Sequence, residues 1–173
     1  MTRTFIGLAA AIAAAASLSA HAHGGHGGHA HGGHGHGQPH FPDAASAAAP
    51  EGVAVSDCWI RAMPNRLPSA AYFKLVNTGA RDAVLIGAQA DGFGKVMLHA
   101  NQTVGGMASM VHADRVVVPA GGEFDFAPGG HHVMLEKPSA DPVIGGTMPI
   151  VLWFEGNRAI PVECDVSSPS RMK

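Results

Sequence analysis

Four side chains of this sequence, His99, Met110, His132 and Met134, make a set with a definite chemistry. Two thioethers are soft donors that suit Cu(I), and two imidazoles add affinity without adding charge. Structural zinc prefers thiolate with imidazole, and calcium and magnesium want oxygen ligands that this set lacks. A second population of donors lies near the start of the chain: His23, His26, His29, His31, His34, His36 and His40, spaced mainly by glycine. Unperturbed imidazoles have pKa values of about 6.5, so at pH 7 most are neutral and able to coordinate. Such a segment suits Cu(II), or Zn(II) and Ni(II), with exchange expected to be fast because no single ligand set is specified.

The groups need elements to hold them. His132-Val133-Met134 falls in an apolar run that reads as a strand, so His132 and Met134 share one face and Val133 the other. His99 lies near the end of a run that begins at Lys95, and Met110 follows the Gly105-Gly106 break. From residue 51 onward the pattern is short β-rich runs separated by turn residues: 53–62, 70–76, 83–90, 95–100, 107–112, 115–118, 123–126, 131–136, 148–154 and 159–166. No run keeps helical periodicity for ten residues. Many short strands at this spacing predict an all-β sandwich or barrel with antiparallel pairing. Methionine is also a common filler of core gaps, so a His-x-Met run by itself is more often a packing histidine beside a core thioether than a metal site.

The rest of the chain sets the compartment. Arg3, an apolar stretch from Phe5 to Ala16 and Ala20-His21-Ala22 read as a secretory signal peptide over residues 1–22. The apolar run is short for a membrane span, which takes about 20 residues, and no later segment is long and apolar enough to supply one after cleavage. Export to the periplasm follows. There an even pair of cysteines is more often bridged than metal-bound, so Cys58 and Cys164 are a candidate disulfide, with free thiols or soft copper ligands as the rival readings. Residues 23–50 read as a disordered His/Gly-rich arm and Ala/Pro linker, 51–168 as the folded domain and 169–173 as a short tail. A formal net charge of −2 gives no reason to expect nucleic acid as a partner. No catalytic triad, paired-carboxylate motif or phosphate loop stands out, so an enzyme is not expected. A blue-copper carrier is also disfavoured, because neither cysteine lies near the His-x-Met run in sequence.

Spacing adds a further argument. The pattern H-x10-M-x21-H-x-M over His99, Met110, His132 and Met134 resembles the PCuAC family of periplasmic copper chaperones. Trp59-Ile60-Arg61-Ala62-Met63-Pro64, Ala70-Ala71-Tyr72-Phe73, Leu75-Val76-Asn77-Thr78-Gly79, Pro119-Ala120-Gly121-Gly122 and Pro128-Gly129-Gly130 are similar to that family too. The resemblance implies a cupredoxin-like Greek-key β-sandwich holding Cu(I) with those four residues. It also implies delivery to the CuA centre of cytochrome c oxidase, with a Sco-type copper protein and oxidase subunit II as acceptors. The alternative is sequestration of copper or zinc without a dedicated acceptor. His131 stands where the family often has tyrosine, and it is expected to face away from His132 in a structural role. His112 would share a face with Met110 if its segment is extended. Met107 is a candidate alternative thioether, and Met97 shares a face with His99 on a regular strand. Together the arm and the domain suggest a relay, in which the arm collects Cu(II) and the domain retains Cu(I).

Overall fold

A computed structural model describes residues 40–172. The segment expected to be a signal peptide and the arm histidines His23 to His36 lie outside the described residues. Ten strands follow one another along the chain: β1 (Val53–Arg61), β2 (Ser69–Asn77), β3 (Ala83–Gln89), β4 (Phe93–Val104), β5 (Met107–His112), β6 (Val116–Val118), β7 (Glu123–Phe126), β8 (His131–Pro138), β9 (Thr147–Phe154) and β10 (Arg158–Ser167). Among the described residues there is no α-helix. The expected runs match these strands to within two residues except at β4, which continues through the polar Asn101-Gln102-Thr103. Pairing with β5 supplies the backbone partners there, which hydropathy does not reveal.

The strands hydrogen-bond in the order β5-β4-β8-β2-β1-β10-β9-β3-β6, with β7 alongside β2. All the pairings are antiparallel except β1 with β10. Non-consecutive neighbours such as β4–β8 and β9–β3 require connections that cross between the two halves of the sheet, which folds into a cupredoxin-like β-sandwich. Alternation does the sorting. Ile60, Leu75, Leu98 and Leu135 point inward from one half, and Leu85, Val118, Ile150, Leu152 and Phe154 from the other, forming one core. Cys58 on β1 and Cys164 on β10 are joined as a disulfide inside it, across 106 residues of chain.

Residues 41–49 differ from the expected disordered linker. Asp43 caps a short 3-10 turn at Ala44–Ser46, Ala48 bridges to Arg158, and Arg158 Nη1 donates to the Ala49 carbonyl at 3.1 Å. Phe41 stacks on Trp153 with centroids 5.1 Å apart. Trp153 is on the outward face of β9 yet only 1% exposed, and its indole N–H donates to Gln89 Oε1 at 2.6 Å. Its partner across the ladder is Gly87, where a Cβ would collide with the Phe41 ring. One aromatic residue in an otherwise small-residue stretch is thus enough to seat the linker, because glycine and tryptophan opposite it form a matching recess.

Candidate metal centre

The histidine face is built by register. His99 on β4 lies directly opposite His132 on β8 and, on its other side, directly opposite His112 on β5. Directly opposed residues share a face, so the three imidazoles form a row across three strands, outside the core. The His99 and His132 ring centroids are 5.7 Å apart, and those of His99 and His112 are 6.0 Å apart. With metal–nitrogen bonds of about 2 Å, two imidazoles on one ion have centroids no more than roughly 6 Å apart, so these spacings fit ligation.

The chain reaches this arrangement through a detour. β7 and β8 both run antiparallel along β2, but Phe126 pairs with Phe73 and Val133 with Ala71. The excess residues form the Ala127–Gly130 turn, with Gly129 at φ 84 and Gly130 N–H donating to the Ala127 carbonyl at 2.9 Å. After the turn the chain rejoins β2 and gains β4 on its other side. The turn also orients the ring: His132 Nδ1 lies 3.2 Å from the Gly130 carbonyl, which can only accept, so Nδ1 carries the proton and Nε2 keeps its lone pair. His132 is 4% exposed, walled by Tyr72 with centroids 6.3 Å apart. Tyr72 in turn packs on Trp59, and Arg61 and Arg171 lie over these rings.

The electrostatics favour neutral rings. Burial, then the neighbouring His132 and His112, lowers the His99 pKa below its usual 6.5. Burial likewise lowers that of His132, opposed in part by the Gly130 hydrogen bond. His99 Nδ1 is buried without a hydrogen-bond partner. A buried polar atom in that state is costly, and a metal ion is one group that would satisfy it.

The thioethers stand at the corners of the row. Met134 pairs with Met97 and with Ala70, so it sits on the same face, one step along β8 from His132. Met110 pairs with Asn101, one step from the row in the opposite direction, and is 50% exposed. On a flat sheet the two methionine Cα atoms would be about 16 Å apart. From Asn101 onward β4 pairs only with β5, so Met110 rides on a two-stranded ribbon, the kind of element that twists most strongly. The four expected residues therefore share one face. His99 and His132 are directly opposed across the β4–β8 ladder, and Met110 stands diagonally from His99 across the β4–β5 ladder. Met107 falls on the opposite face of β5 from Met110 and is not placed beside the row. Met97 lies beside Met134, and His131 turns away onto Phe124, with centroids 4.9 Å apart. His112 and the Tyr72–Trp59 wall were the features that sequence spacing could not rank. Their signal is register: His112 reaches the row only once β5 pairs with β4, and Trp59 meets Tyr72 only once β1 pairs with β2.

The family described as "Putative lipoprotein LpqE-like" matches residues 53–166, from the first residue of β1 almost to the end of β10. The chain belongs to this LpqE-like, PCuAC-type family. A curated relative, "Putative lipoprotein Lxx21020" of Leifsonia xyli subsp. xyli, is 33% identical over 132 residues, 73% of this chain and 78% of its own. Among solved structures, Cu(I)-bound DR1885 of Deinococcus radiodurans is 27% identical, with a TM-score of 0.58 over 75% of this chain and 87% of its own. The apo PCuAC domain of PmoF2 is 24% identical, with a TM-score of 0.59 over 70% of this chain and 94% of its own, a likeness of fold. A copper-bound form of the PmoF2 PCuAC domain is 24% identical, with a TM-score of 0.57 over 68% of this chain and 94% of its own. Among the described residues no helix is long and apolar enough to cross a membrane.

Proposed function

We propose that this protein is an exported copper chaperone that carries Cu(I) on His99, Met110, His132 and Met134. The observation that supports it most is the His99–His132 pair: two neutral imidazoles, one oriented by Gly130 and one with an orphaned buried nitrogen, on the face that also bears both methionines. Among the described residues no three His, Cys, Asp or Glu side chains are placed to hold a metal, so the complete set calls on the thioethers. Thioethers shift preference toward Cu(I). A neutral donor set also leaves the ion its charge, which favours handing it to a more strongly donating acceptor. Membership of the family supports the CuA centre of cytochrome c oxidase as destination, with a Sco-type protein and subunit II as partners. The histidine arm supplies a collecting site for Cu(II), or zinc or nickel, in the periplasm.

A competitive Cu(I) titration tests this, using the full chain and a chelator strong enough to strip the arm. The unmodified chain is expected to retain one tight equivalent, and the His132→Ala, Met134→Ala double variant none. Equal retention by both would remove the site. Sequestration without an acceptor is separated by transfer: a loaded chain that gives no copper to an apo subunit II domain, with or without a Sco-type protein, would be a store.

A further inference from the structure

The third imidazole of the row, His112, lies outside the four-residue set and has the features of a metal ligand. It directly opposes His99, with ring centroids 6.0 Å apart. Its Nε2 lies 3.2 Å from Asp114 Oδ1. A carboxylate accepts, so in the neutral ring Nε2 holds the proton and Nδ1 bears the lone pair, as carboxylates fix the tautomer of metal-bound histidines. Asp114 is well exposed, so this pair marks the solvent side of the row, while His132 marks its buried side. His112 is also two residues from Met110 on the same face of β5, at the base of the two-stranded ribbon that carries Met110.

We propose that His112 is the receiving and releasing ligand of the copper site. Arriving copper is held first by His112 and His99 at the open side of the row. It then moves to His99 and His132 as the thioethers close, and departure retraces the path. No bond is made or broken except coordination bonds, one donor replacing another, and the oxidation state is unchanged. This inference rests on the four-residue site proposed above. It predicts that His112 governs how fast copper exchanges while contributing little to how tightly it is finally held.

The test uses the full chain loaded with one equivalent of Cu(I) and mixed with excess Cu(I) chelator in a stopped-flow instrument. Rates and equilibrium affinity are compared among the unmodified chain, His112→Phe, which keeps a ring without donors, and Asp114→Asn, an exposed change that threatens no packing. Release from His112→Phe is expected to slow about ten-fold with the dissociation constant within about two-fold, and Asp114→Asn to lie between. Unchanged release rates in both variants would overturn the proposal. So would a loss of affinity in His112→Phe as large as that in His132→Ala, which would make His112 a permanent ligand. An unmodified chain with no tight equivalent would instead overturn the four-residue reading, and this role with it.

Discussion

At the scale of single residues, the protonation of two rings is the controlling quantity. Both His99 and His132 have pKa values lowered from 6.5 in the folded state, so the unfolded chain binds more protons than the folded one as pH falls below 6.5. The stability they permit is full above pH 6.5 and declines as pH drops through that value toward their lowered folded pKa values. Thermal midpoints of the apo protein between pH 7.5 and 4.5 should therefore fall with acid, and a His99→Gln, His132→Gln variant should show a shallower fall. Copper affinity should be flat near pH 7 and weaken only below the ordinary imidazole range, which a chelator titration across pH measures. The residue types and their spacing were legible in the sequence, because donor softness and the alternation of His132-Val133-Met134 need no fold. The central place of His99 was not, since being opposite two histidines at once depends on strands 13 and 33 residues away in the chain.

Elements decide which donors meet. Strand positions were readable from turn residues such as Gly105-Gly106 and Pro128-Gly129-Gly130, but strand order was not, because hydropathy records which residues are inward and not which strand is the neighbour. The Ala127–Gly130 turn shows the difference: its glycines announce a break, while only the pairing shows that the strand after it lies between β2 and β4. The seated linker was the larger departure, and it makes its own prediction. Phe41→Ala should uncover Trp153, shift its fluorescence to the red and lower unfolding free energy by about 1–2 kcal/mol in a denaturant titration. Gly87→Val should do the same by displacing the ring from the other side.

For the whole molecule, the Cys58–Cys164 bridge ties the first strand to the last across the parallel β1–β10 contact. In the chain-entropy model a closed loop of this length stabilises by about 4–5 kcal/mol, so a Cys58→Ser, Cys164→Ser variant should lose an amount of that order in a denaturant titration. The seat of Phe41 has a further consequence. Gly87 and Trp153 look outward from one half of the sandwich, and His99 and His132 look outward from the other. The path around the body between them is on the order of 40 Å, from strand and sheet spacings. Five residues of chain from Phe41 back to His36 span at most about 17 Å, whereas eighteen back to His23 span about 60 Å. Anchorage at Phe41 therefore sets a length limit on the proposed relay: a histidine only a few residues before Phe41 lacks the chain to touch the His99–His132 face of its own molecule, and only a histidine far back along the sequence would have enough.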